Sequence, residues 1–153
     1  MLAAVALVLI AYHSVAFGGK TFDTSSVMPG VNGSDLPTGI RRLSNDNFRV
    51  DPGASAWAML PWAQVAHRQI AHGVVPLWNP YQGAGTPLAA NGQSSVFDPM
   101  MLAVNLHPTT LTWDLTLLFS LVLGAVGMYL FLRNLGLSTL GALTGTGAFV
   151  LSG

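Results

Sequence analysis

The pattern of apolar and polar positions divides the chain into three hydrophobic runs and one long mixed stretch. Residues 115–132 hold eighteen positions without a charge, closed at once by Arg133. Extended back to residue 111, this run makes a helix about 33 Å long, enough to cross a hydrocarbon core of about 30 Å. Trp113 and Tyr129 lie near its ends, where interfacial aromatics are expected. Asn134-Leu135-Gly136 then predicts a tight turn into residues 137–153, a second uncharged run. Its Gly141-x-x-x-Gly145 spacing offers a flat face for close helix contact. The chain stops inside this run, so further helices of a longer chain are expected to complete a multi-span protein.

Residues 2–17 form the N-terminal run, with His13 as its one ionisable side chain. As a helix it reaches about 24 Å, so it predicts a membrane anchor of marginal length. A signal peptide is the alternative, because Ser14-Val15-Ala16 resembles a cleavage site; no basic residue precedes the run, which argues against it.

Between these runs, residues 18–50 are rich in Gly, Pro, Ser, Asn and Asp and read as loop. Asn32-Gly33-Ser34 matches a glycosylation sequon, a triplet that chance often supplies. Asp51-Pro52 is a helix start, an Asp N-cap before Pro at the first helical position, and predicts a helix over about 52–72 that Pro61 breaks or restarts. Trp62, Ala66 and Ile70 share one face of it, Gln64, His67, Arg68 and His72 lie off that face, and Gly73 is the stop. Asp98-Pro99 repeats the start signal before a short helix over about 99–106. Both suit helices lying at a membrane surface or packed on a bundle. From residue 76 to 99, four prolines, three glycines and the amides Asn79, Gln82, Asn91 and Gln93 exclude regular helix or strand. This segment is too apolar for a solvated linker and reads as an ordered cap. Its amides either satisfy backbone groups or bind sugar hydroxyls.

Composition sharpens this picture. Only 8% of residues are charged and 51% are hydrophobic, whereas soluble domains carry about 25% charge. A bilayer is therefore the expected solvent. Net charge is zero and only Arg41-Arg42 cluster, which excludes a nucleic-acid partner. The absence of cysteine excludes disulfides, thiolate zinc sites and thiol catalysis. His67 and His72, five apart, do not stack as a metal pair would, so no metal ligands are assigned. Charge does not orient the chain: within reach of the spans, Lys20 balances Arg133. Asp98 and Asp114 read as helix-end residues, and Trp57, Trp62, Trp78 and Tyr81 as interface anchors, although an aromatic also stacks on a sugar ring.

The elements Asp51, Leu60-Pro61-Trp62, Gly73-Val74-Val75-Pro76-Leu77-Trp78-Asn79-Pro80-Tyr81, Gly85-Thr86-Pro87-Leu88-Ala89-Ala90-Asn91 and Gln93-Ser94-Ser95-Val96-Phe97-Asp98-Pro99 resemble the N-terminal part of the bacterial YfhO-like membrane proteins. These are similar to the GT-C class of integral-membrane glycosyltransferases, and the resemblance covers about residues 50–133. It implies an all-α multi-span fold in the bacterial cytoplasmic membrane. Transmembrane helices then occupy 1–17, 111–132 and 137–153, and residues 18–110 form a loop on the outer face. It also implies transfer of a sugar from a polyprenyl-phosphate carrier to a cell-envelope acceptor. An acid in the first outer loop serves there as general base or metal ligand, and Asp51 best matches it, although Asp23 lies nearer the first run. The leaving phosphate needs a cation, either Arg49, Arg68 or a divalent metal. Trp78, Asn79, Tyr81, Asn91 and Gln93 are the candidate sugar contacts. The competing class is non-enzymatic, a transporter or a structural membrane component.

Overall fold

The computed structural model describes residues 1–23 and 58–152. Its helices among these are α1 (Leu2–Ala11), α2 (His13–Ala16), α3 (Leu60–Ala71), α4 (Leu102–Leu106), α5 (Thr110–Asn134) and α6 (Thr139–Leu151). One small antiparallel hairpin pairs β1 (Trp78–Asn79) with β2 (Thr86–Pro87). The Asn32 sequon, Arg49, Asp51, Trp57 and the expected helix start over 52–57 lie outside the described residues. The chain divides into two compact units, Met1–Thr21 with Asp114–Gly153, and Phe22–Trp113.

The first unit is built from helices that are apolar on every side. At 25 residues, about 38 Å, α5 is long and apolar enough to cross a membrane. Leu111, Leu115, Phe119 and Leu123, four apart, are all exposed along one side of it. Such a row is costly against water and favourable against acyl chains. The other two expected spans are shorter. Residues 1–17 do not make one helix: the chain breaks at Tyr12 (φ −108°, ψ 27°), leaving α1 with ten residues, about 15 Å. The Tyr12 hydroxyl donates to the Val150 carbonyl of α6 at 3.2 Å. At thirteen residues, about 20 Å, α6 is also short of the hydrocarbon thickness.

Packing in this unit follows four-residue spacing. Ala4 and Val8 of α1 and Ala142, Thr146 and Val150 of α6 are buried, and Val8 and Val150 meet Ala125 of α5 in one cluster. Only half of the Gly141/Gly145 pair serves helix contact. A Cβ on Gly145 would stand 2.6 Å from Leu132 Cδ1 of α5, whereas one on Gly141 would meet Ser138 and Leu137 of its own helix cap. The hydroxyls of Ser120, Thr144 and Thr146 each donate to the carbonyl four residues earlier, at 2.8, 3.0 and 2.8 Å. The expected turn at Asn134–Gly136 forms. With Gly136 at φ +86°, its N–H bonds Arg133 O (3.0 Å) and Leu137 N–H bonds Leu132 O (3.2 Å), which is a Schellman closure.

In the second unit, described again from residue 58, a short π-helical stretch at 58–59 leads into α3, with Pro61 in the first turn of α3, where its missing N–H costs no helical bond. Gly73, at φ +71°, ends it in the same closure: its N–H bonds Ile70 O and Val74 N–H bonds Gln69 O, both at 2.9 Å. Val65 and Ala66 of α3 pack on Leu88 and Val96 of the cap, with Trp62 alongside. Asp98 acts as the expected cap, but of a turn rather than a helix. Its Oδ1 accepts the Met100 N–H at 2.9 Å, and α4 begins only at Leu102. The expectation that 76–99 contains no strand needs one correction, because β1 and β2 pair over two residues each, Trp78 opposite Pro87 and Asn79 opposite Thr86. So short a ladder survives the prolines because Pro87 closes its end. The start of α5 is a reciprocal box. Thr109 Oγ1 accepts the Thr112 N–H (3.2 Å) and Thr112 Oγ1 accepts the Thr109 N–H (3.0 Å). Trp113, expected near the helix end as an interfacial aromatic, is buried at 4% exposure, and its indole N–H has no partner among the described residues.

Candidate functional site

Side chains that converge in the second unit do so because α3 and the hairpin are tied together. After the Gly73 turn the chain runs back along α3, and Gln69 Nε2 donates to the Trp78 carbonyl at 2.6 Å. This bond fixes β1 beside the helix. Asn79, 5% exposed, turns the chain after β1: its Oδ1 accepts the Tyr81 N–H at 3.0 Å. Tyr81 is thereby brought over α3, where the Arg68 guanidinium carbon lies 5.8 Å from its ring centroid. That is a cation–π distance.

The described walls of the resulting cleft are Pro61, Trp62 and Val65 of α3 with Asn79, Tyr81 and Gln82 of the hairpin, and its volume is about 260 Å³. This is near the lower end of small-molecule sites, which start at about 300 Å³, and leaves room for one ring-sized group. The wall is mixed: two aromatic rings and aliphatic carbon on one hand, two amides on the other. Arg68 holds a positive charge against the tyrosine that forms part of it.

Of the predicted site residues, the structure brings together Arg68, Asn79 and Tyr81, with Trp78 next in chain and tied to the same helix. Trp78 is half exposed and its indole covers Gly85. Asn91 and Gln93 do not line the cleft. Asn91 Oδ1 accepts the Gln93 N–H at 3.1 Å, and Ser94 Oγ donates to the carbonyls of Leu88 (2.6 Å) and Asn91 (2.8 Å). These residues order the turn that places Leu88 in the core. Arg49 and Asp51 lie outside the described residues. Asp23 Oδ2 accepts the Thr110 hydroxyl at 3.1 Å, at the start of α5.

Sequence reasoning passed over Gln69, and it counted Gln82 among the amides of the 76–99 segment without placing it among the site residues. The signal was available for Gln69, a polar residue in the last turn of a helix whose stop sends the chain back beside it. It also missed a histidine pairing. His67 meets His107 (ring centroids 6.5 Å apart), while His72 Nδ1 lies 2.7 Å from the Arg68 carbonyl oxygen. Among the described residues no three His or Asp side chains gather into a metal-binding set. No protein-family model matches the chain, and no curated protein or solved structure matches it either.

Proposed function

We propose that the chain is the N-terminal part of a multi-span membrane glycosyltransferase of GT-C type, which moves a sugar from a polyprenyl-phosphate carrier to a cell-envelope acceptor. In this reading α5 crosses the bacterial cytoplasmic membrane, α1 and α6 are embedded beside it, and residues 18–110 face outward. The observation that carries the reading is the Trp62–Asn79–Tyr81–Gln82 cleft beside Arg68. Aromatic faces take the apolar face of a sugar ring, amides take its hydroxyls, and a guanidinium takes the phosphate that leaves.

The step assigned to Asp51 balances simply. Its carboxylate accepts the proton of an acceptor hydroxyl, the hydroxyl oxygen bonds the anomeric carbon, and the carrier phosphate departs with the electrons of the broken C–O bond. Arg68 or Arg49 offsets the charge that builds on that phosphate. The alternative is a non-enzymatic membrane component. It gains support from the side-chain oxygens of Asn79 and Asn91, which accept the backbone N–H groups of Tyr81 and Gln93.

The test uses the full-length protein in proteoliposomes with a radiolabelled polyprenyl-phosphate sugar. Asp51→Asn is expected to abolish transfer while leaving expression and membrane insertion intact. Undiminished transfer refutes the catalytic assignment.

A further inference from the structure

One edge of the second unit is apolar and open. Val74 (54% exposed), Val75 (57%), Phe97 (65%) and Leu102 (49%) border a shallow groove of about 350 Å³. They reach it from three places: the strand-like return after the Gly73 turn, the turn before Asp98, and the start of α4. No Lys, Arg or Asp is among its described walls. Leu106, one helical turn beyond Leu102 and itself exposed, continues the same side of α4.

Chain continuity says where this edge is. Only His107, Pro108 and Thr109 separate α4 from α5. Four residue steps span at most about 14 Å, so Leu106 at the end of α4 stays within that distance of the first residue of α5. If α5 crosses the bilayer, the end of α4 is tethered near the bilayer surface. We infer that the Val74–Val75–Phe97–Leu102 edge inserts into the boundary between lipid headgroups and acyl chains, as a monotopic contact beside the span. Contacts of this kind bury their apolar side about 5–10 Å deep. The reason is free energy: four apolar side chains leave water without new protein contacts, and none of the residues bordering the groove is charged. The half-exposed indole of Trp78, which follows the Val74–Val75 return in the chain, suits the same boundary.

This inference rests on α5 as a span, and the experiment separates the two. The chain has no cysteine, so single-cysteine variants take one nitroxide each. Full-length Val75→Cys, Phe97→Cys, Leu102→Cys, Leu123→Cys on the exposed side of α5, and Gln64→Cys as an aqueous reference are reconstituted in vesicles of phosphatidylcholine and phosphatidylglycerol. Collision rates with oxygen, which partitions into lipid, are compared with those of a water-soluble nickel chelate. Oxygen is expected to dominate at positions 75, 97 and 102 as it does at 123, and nickel at 64. Nickel dominance at 97 and 102 with oxygen dominance at 123 overturns the inference and leaves α5 as a span. Nickel dominance at 123 overturns the span reading and this inference with it. Low access to both reagents at 97 and 102 means that protein, a partner or a second copy, covers the edge, and that also overturns the inference.

Discussion

Replacing Gly85 with alanine tests the geometry that holds the hairpin to its helix. Gly85 has φ +98°, and a Cβ there would stand 2.7 Å from both Cε2 and Cζ2 of the Trp78 indole. Two costs combine. An L-residue in left-handed space loses about 1–2 kcal/mol, and overpacking loses about 1–3 kcal/mol. Because Trp78 is half exposed, its ring has room to swing outward, which places the total near the lower part of the range, about 2–3 kcal/mol. The assay is amide hydrogen exchange on the full chain in lipid nanodiscs. The amide to follow is that of Leu88, whose N–H bonds Leu77 O at 2.8 Å across the hairpin. At tenfold per 1.4 kcal/mol, its exchange should quicken about 30- to 150-fold. Exchange within about twofold of the parent would refute the reasoning. Pairing Gly85→Ala with Trp78→Ala divides the two costs. Removing the ring relieves the overpacking and leaves the backbone strain, so the pair should couple by about 1 kcal/mol. Strict additivity would mean that the indole does not lie over Gly85.

The remaining predictions concern the packing and the helix start. Leu88→Ala empties the centre of the Val65–Ala66–Val96 cluster and should cost about 2–5 kcal/mol, read as a lower midpoint of thermal unfolding followed by tryptophan fluorescence in detergent. A loss below about 1 kcal/mol would mean that the cap does not pack on α3 as described. Thr109→Ala removes one half of the reciprocal box at the head of α5 and should cost about 1 kcal/mol, seen as faster exchange of the Thr112 amide, while Thr109→Ser retains protection. Equal exchange in both variants would discount the box.

What was legible in the chain follows from how local each signal is. The uncharged run before Arg133, the Gly136 turn and the Gly73 stop depend on a few neighbouring residues, and α5 (Thr110–Asn134), the turn after it and the end of α3 match them. The break at Tyr12 was not legible. Residues 2–17 read alone are an unbroken apolar helix, and the partner that Tyr12 meets in the fold, the Val150 carbonyl, is 138 residues away. The burial of Trp113 was not legible either, since burial is decided by what folds over it. In the candidate site, the residue types were readable from the proline-and-amide segment, but the Arg68–Tyr81 contact was not. It requires the Gly73 closure, the Gln69–Trp78 bond and the Asn79 turn to act together. The roles assumed for Asn91 and Gln93 rested on composition, which does not distinguish an amide that builds a turn from one that faces a ligand.

The back-bonded hydroxyls of Ser120, Thr144 and Thr146 set the character of the α1–α5–α6 assembly. Each spends its proton inside its own helix, so none is left to latch one helix to the next. Apart from the Tyr12 hydroxyl on the Val150 carbonyl, cohesion between these helices then rests on relief: knobs such as Leu132 and Phe149 seated over glycine hollows at 145 and 124. An assembly keyed by shape should exchange threonine for valine with little consequence and resist any enlargement of its hollows.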